Sequence, residues 1–292
     1  MDATCAPADI KYPTDLGLLN HAREILEDII DTLHEPHIGM MAKPRTYRNK
    51  ARQAYLSVSK QRKASQKTIR KAVRKQLSFV KRDLQIIDQQ TVETPLTHLS
   101  RRQYRRLLVI QELYRQQREM FDEKKHTIPD RIVSIHQPHV RPMVRGKAGS
   151  QVEFGAKIAA SVVDGYSRIE RMEWDNFNEA KTLQDSVESY KQRHGVYPEA
   201  ILADKLYRNR ENLRYCKERG IRLSGPRLGR PPKDGPSKAV LQQEREDASE
   251  RNQIEGKFGE GKRRFGLGLI RARLANTSQT VIALQFLVMN LE

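Results

Sequence analysis

Three carboxylates stand out by their surroundings. Asp2 lies in the opening stretch "MDATCAPADIKYPTD", Asp204 in "EAILADKLYRNREN" and Glu255 in "RNQIEGKFGEGKRRFG". Carboxylate oxygens are hard donors of the kind that Mg²⁺ takes. Asp204 follows the apolar run Ala-Ile-Leu-Ala, which places it at the C-terminal end of a buried strand. Open α/β sheets hold their sites there. Glu255 has Arg251 four residues before it and Lys262 seven after it, offsets that put all three on one helical face. The same spacing also describes an ordinary i,i+4 surface pair, worth about 0.2–0.5 kcal/mol. The glycines at 256, 259, 261 and 266 speak against a plain solvated helix. Each interior glycine costs a helix about 1 kcal/mol relative to alanine. Something must approach the backbone closely there, or the helix ends near Phe265.

The elements that position these residues differ along the chain. From about Leu16 to Lys125 the pattern is helical. In "RKASQKTIRKAVRKQLSFVKRDL", Ile69, Val73, Leu77 and Val80 recur at helical spacing. Lys67, Arg70, Lys71, Arg74, Lys75, Lys81 and Arg82 cover much of the rest of that helix. A second helix spans roughly Leu96 to Lys125, with Leu99, Leu107, Ile110, Leu113 and Tyr114 as its buried stripe. Beyond it, "RIVSIHQPHV" and "VEFGAKIAASVVDGYSRIERMEW" carry β-branched runs, and Asp164-Gly165 signals a hairpin. Then come a helix closed by Gly195, the strand "EAILAD", a helix closed by Gly220, the strand "IRLS", a Pro/Gly-rich loop, a long helix from about Ala239 and an apolar C-terminal helix. That order is an α/β pattern.

Composition narrows the class of partner. The chain has 292 residues, 37% apolar and 31% charged, with a net charge of +18. Fifteen of its lysines and arginines lie between Pro36 and Arg82, where no Asp or Glu occurs. An uninterrupted run of that kind repels itself, and a phosphate surface relieves the repulsion by counterion release. A solvated helical face is the plainer alternative. No run of 18 apolar residues exists, so no spanning helix is expected, and the N-terminus has no signal-peptide pattern. Two cysteines without CxxC spacing fit a reducing, cytoplasmic compartment.

The motifs taken together resemble a known family. "RNQIEGKFGEGKRRFGL" is similar to the C-terminal signature of bacterial insertion-sequence DDE transposases of the insertion-sequence-five type. That signature runs Tyr, two residues, Arg, three residues, Glu, six residues, Lys. Arg251, Glu255 and Lys262 stand at those spacings, and Ala248 replaces the tyrosine. "ILADKLYRNREN" resembles the segment carrying the second aspartate and "DATCAPADIKYPTD" the segment carrying the first. "VRPMVRGKAGSQVEFGAKI" and "SGPRLGRP" also look like the family.

The resemblance implies an α/β fold: an RNase H-like mixed sheet flanked by helices, with a large basic helical insertion after the first strand. Residues 1–15 would be the remnant of that strand and its loop, 16–127 the insertion and 128–292 the remainder of the catalytic domain. The same resemblance makes Asp2, Asp204 and Glu255 the catalytic, metal-binding triad. Two Mg²⁺ ions, which Mn²⁺ can replace, suit such a triad and serve an in-line phosphoryl displacement. Arg251 and Lys262 would neutralise DNA phosphates beside the metals, and Lys67, Arg70, Lys71, Arg74 and Lys75 would also bind DNA. The expected reaction is cleavage at transposon ends and transfer into target DNA, with DNA as partner, a homodimer as synaptic complex and the bacterial nucleoid as location. Family members carry a further N-terminal helical region, and only Met1 precedes Asp2. The sequence is therefore expected to be an N-terminally truncated form lacking most of its first strand. The alternative is a non-catalytic, DNA-binding remnant that represses or inhibits the full-length enzyme.

Other residues make weaker claims. Asp9 and Asp15 are spare carboxylates near Asp2, and Asp15 reads as the cap of the helix starting near Leu16. His136 and His139 flank Pro138 with no third ligand in view, which does not favour zinc. Trp174 is expected to be a partly buried core residue and Tyr207 a packing residue that orients the site. "LGRPPK" reads as a linker more readily than as a minor-groove loop.

Overall fold

Several helix starts are set by side-chain caps. Thr14 accepts from the backbone of Gly17, Ser65 from that of Thr68, and Ser100 forms a reciprocal capping box with Gln103. The cap of the first helix is thus Thr14, one residue earlier than the sequence suggests. Asp15 is instead tied by Gln117 and Arg131, at 3.0 and 2.7 Å. The computed structural model describes residues 1–144, 152–225, 228–229 and 237–292. Most of "VRGKAGSQ", residues 226–227 of "SGPRLGRP", and all of "LGRPPK" but Leu228 and Gly229 lie outside the described residues.

In chain order the elements are β1 (Asp2–Pro7), α1 (Asp15–His34), α2 (Arg48–Ser59), α3 (Gln66–Gln90), α4 (Arg101–Glu123), β2 (Arg141–Val144), β3 (Val152–Val163), β4 (Tyr166–Glu173), α5 (Leu183–His194), β5 (Ala200–Ile201), α6 (Arg210–Glu218), β6 (Arg222–Leu223), α7 (Lys238–Arg264) and α8 (Ala275–Leu291). They fall into two compact units. Residues 10–139 form one, and residues 1–9 with 140–292 form the other.

The helical unit is built around α1, whose Leu19, Leu26, Ile29, Ile30 and Leu33 are fully buried. Against it pack Val73, Leu77, Val80 and Ile87 of α3 and Leu107, Ile110 and Leu113 of α4. Ile69, one turn before Val73, is exposed. The stretch "RIVSIHQPHV", expected to extend as a strand, forms none. Ile132 and Ile135 instead join the helical core. The Ile132 N–H donates to the Gln116 side chain at 2.9 Å, so a glutamine takes the place of a ladder partner. Inside the same unit Arg23 meets Glu27, and Arg48 meets Asp31. Beside them Asp83 is buried, and neither carboxylate oxygen has a hydrogen-bond partner among the described residues.

The second unit centres on β3. β1 lies antiparallel along one edge, Asp2 opposite Ala160 and Pro7 opposite Gly155. β2 and β4 share the other edge, also antiparallel. Asp164 and Gly165, with φ of 52° and 81°, turn β3 into β4 as the Asp-Gly signal requires. β5 and β6 form a separate, two-residue parallel pair among the described residues. The Met1 nitrogen donates to the Leu202 carbonyl at 2.6 Å, which brings the start of β1 beside the end of β5. β1 runs for six residues from Asp2 onward, and its Ala3, Thr4, Cys5 and Ala6 are buried. Small side chains on both faces let β1 sit in the core without an apolar run before it. α8 covers the sheet with Ile282 and Phe286, and Asn290 clamps its end to Ser167 of β4 through three hydrogen bonds of 2.7–2.9 Å.

Candidate active site

Each of the three carboxylates reaches one cleft from a different element. The cleft has a volume of about 880 Å³ and its walls include Asp2, Lys157, Glu179, Asp204, Arg251, Glu255 and Lys262. Asp2 opens β1, half-buried, and accepts from the Ala3 N–H at 2.8 Å. Asp204 stands three residues after β5, where it caps a short 3₁₀ turn by accepting from Lys205 N at 2.7 Å. Tyr207, at the end of that turn, is fully buried. Glu255 lies in the middle of α7, and Lys262 in its last turn.

The glycines of α7 have separate tasks. Gly266, with φ of 78°, ends the helix just after Phe265. A Cβ at Gly261 would meet the Met289 sulfur at 2.8 Å, so this glycine lets α8 cross closely. Gly259 lines the cleft near Glu255. The two explanations open from the sequence, close approach and helix end, both hold.

Arg251 is the electrostatic hinge of the site. Its guanidinium lies 3.3 Å from Asp204 and 3.8 Å from Glu255. Its buried Nε has no hydrogen-bond partner among the described residues. Glu179, a residue the sequence did not single out, is the fourth carboxylate of the cleft. Lys157 of β3 holds it at 2.9 Å and also donates to Asn176 and to the Phe177 carbonyl. Burial, and then the charges of Glu179 and Glu255, push the Asp2 carboxyl above the ordinary aspartate range. Burial and the Glu179 charge likewise raise the Tyr207 hydroxyl. The acidic groups thus share one field.

That donor set fits a hard divalent cation in kind: all-oxygen, anionic, and repelling itself in the absence of positive charge. Among the described residues, no three His, Cys, Asp or Glu side chains are gathered closely enough to hold a metal as they stand. Asp204 and Glu255 are about half exposed, and each leans on Arg251.

The remaining candidates have plainer surroundings. Asp9 is exposed, and its N–H donates to Ile270 O. His136 contacts His21 and Arg106, both at 3.0 Å. Trp174 is half-buried against the sheet core, as expected. In the helical unit Lys67, Lys71, Arg74 and Lys75 are exposed on α3, whereas Arg70 stacks on Phe121 at 4.1 Å and donates to its carbonyl. No described helix is long and apolar enough to cross a membrane.

Residues 201–292 match the model of the Transposase DDE domain, a span that includes Asp204, Arg251, Glu255 and Lys262. No curated protein and no solved structure matches the chain.

Proposed function

We propose that this chain, whose match over residues 201–292 supports a DDE transposase, cuts DNA at the ends of an insertion sequence and joins those ends to a target. The observation that carries the reading is the convergence of Asp2, Asp204 and Glu255 on one cleft with Arg251 and Lys262. Asp204, Glu255 and both cations fall inside the matched span. Asp2 enters from β1, outside it. We assign the chain to the insertion-sequence-five type and its α/β unit to an RNase H-like fold, on the order of these motifs and the antiparallel start of the sheet.

In this reading Asp2, Asp204 and Glu255 hold Mg²⁺. The metal, when bound, supplies an activated water or 3′-hydroxyl and charge relief for the leaving oxygen. The chain's own groups do the rest. Arg251 and Lys262 take phosphate oxygens of the scissile strand. Lys157 fixes Glu179, which keeps negative charge against Asp2. Buried Tyr207 packs under the Asp204 turn and holds its direction. On the helical unit, the exposed cations of α3 bind the DNA backbone, and two copies bring two ends together.

The test is divalent-cation-dependent nicking of DNA carrying the element's own ends. Wild-type protein is expected to nick it with Mg²⁺ or Mn²⁺, and Asp204→Ala and Glu255→Ala to lose at least about a hundredfold in rate. Equal rates in wild type and both variants would sink the reading. Salt-sensitive DNA binding with no cleavage under any of these conditions would make the chain a binding protein instead.

A further inference from the structure

The basic segment between Pro36 and Arg82 is not uniform. Two of its acidic neighbours are already engaged: Asp31 by Arg48 and by Lys43 at 2.8 Å, and Glu27 by Arg23 and by Arg48 at 3.8 Å. The junction is Tyr47, which precedes α2 in the left-handed conformation, φ 58°. This turn sends Arg48 inward to Asp31 and to the Glu27 carbonyl. Tyr47 itself stays half-exposed, and three cations gather on its ring. The Arg45 and Arg82 guanidinium carbons lie 4.6 Å from the ring centroid and the Lys50 ammonium 5.6 Å. An aromatic ring has two faces, so at least two of these cations share one. All three are exposed, and none has a carboxylate partner among the described residues.

The ring's quadrupole holds the cations together, but like charges at this spacing repel one another. An anion placed between them removes that cost. The cluster also has a direction. Lys71, Lys75 and Arg82 lie on one face of α3, at offsets of four and eleven residues. They span about 16 Å of helix, long enough to follow successive backbone phosphates.

We propose that Arg45, Lys50 and Arg82, gathered on Tyr47, form a phosphate clamp for the backbone of duplex DNA, and that Lys71 and Lys75 continue its track along α3. The choice of DNA rests on the function proposed above. The clamp itself rests on the geometry at Tyr47. It recognises phosphate rather than base, because three cations around one ring read charge and spacing and offer no pattern of acceptors. Its role is to add sequence-independent affinity for the duplex.

The test uses the full chain and a fluorescent duplex of mixed sequence, with anisotropy read over a salt series. The Arg45→Gln/Lys50→Gln/Arg82→Gln variant is expected to reduce the slope of log K against log salt by about 2–3. The control Arg101→Gln/Arg102→Gln/Arg105→Gln, which removes the same charge from exposed positions of α4, is expected to change it by less than about 1. Tyr47→Leu, which keeps every charge, is expected to weaken binding roughly threefold to tenfold. Lys50→Gln alone, at an exposed position, is expected to lower the slope by about 1 even if the triple variant unfolds. An unchanged slope in the cluster variants, or an equal fall in the control, overturns the clamp. Tighter binding to an RNA of the same sequence, lost in the same variants, overturns the assignment to DNA. Nicking is read separately. Cleavage with unchanged slopes refutes the clamp alone, and the expected slopes without cleavage refute the catalytic reading alone.

Discussion

Arg251 touches two carboxylates that come from different elements, and its substitution separates stability from chemistry. Both ion pairs are partly solvated, at 3.3 and 3.8 Å. Exposed pairs of this sort contribute about 0–1 kcal/mol. Arg251→Gln is therefore expected to melt within a few degrees of wild type while losing at least about tenfold in DNA cleavage, a transition-state effect near 1.4 kcal/mol or more. A fall in melting temperature that accounts for the lost activity would contradict it. Asp83 gives the opposite kind of prediction. Burial and the Glu27 charge push its carboxyl up to about 8, against the attraction of Arg23, Arg48 and Arg82. Between about pH 4 and pH 8 the unfolded chain has released a proton that the folded chain keeps. Stability from this group is full below the lower value and is lost as pH rises to the higher one. Asp83→Asn is expected to flatten that decline in urea titrations at pH 5 and pH 8, and an unchanged pH dependence would count against it. At this scale the sequence was legible where a motif had fixed spacing, as for Arg251, Glu255 and Lys262. Glu179 and Lys157 had no such signal. One precedes α5 and the other lies in β3, and only folding brings them to 2.9 Å.

Among the elements, β1 decides whether Asp2 can serve the site at all. Its neighbour β3 approaches so closely at Gly155 that a Cβ there would stand 2.1 Å from the Ala6 carbonyl oxygen. Backbone must move to admit even one carbon. Gly155→Ala is expected to cost roughly 2–4 kcal/mol, read as a lower denaturation midpoint with loss of cleavage. A midpoint equal to wild type would mean that β1 does not pack as described. The helices were legible because burial follows a 3.6-residue period over long segments, as in Val73, Leu77 and Val80. β1 was not legible in this way, because large apolar residues are the usual mark of a buried strand. The chain instead buries Ala3, Cys5 and Ala6. The stretch "RIVSIHQPHV" failed in the other direction: its β-branched residues fill a helical core, and Gln116 satisfies the backbone that a sheet would have paired.

For the whole molecule, the division of labour follows charge. The α/β unit gathers carboxylates in a cleft, and the helical unit carries most of the +18 surplus. On the proposed function, polyanion binding and phosphodiester chemistry fall to different compact units. The α/β order was legible in the chain because turn signals such as Asp164-Gly165 punctuate it. The small parallel pair of β5 and β6 was less so, since two-residue strands leave almost no periodicity. The central claim is that these carboxylates act as metal ligands rather than as partners of Arg251 alone. Replacing Asp204 by cysteine exchanges a hard oxygen donor for a soft sulfur one, which disfavours Mg²⁺ and tolerates Mn²⁺ better. The most direct measurement is the nicking rate of Asp204→Cys on the element's end DNA in Mg²⁺ and in Mn²⁺. Activity near background in Mg²⁺ and recovery of at least about tenfold in Mn²⁺ are expected. A rate equal to wild type in Mg²⁺, or identical residual rates in both metals, would contradict that claim.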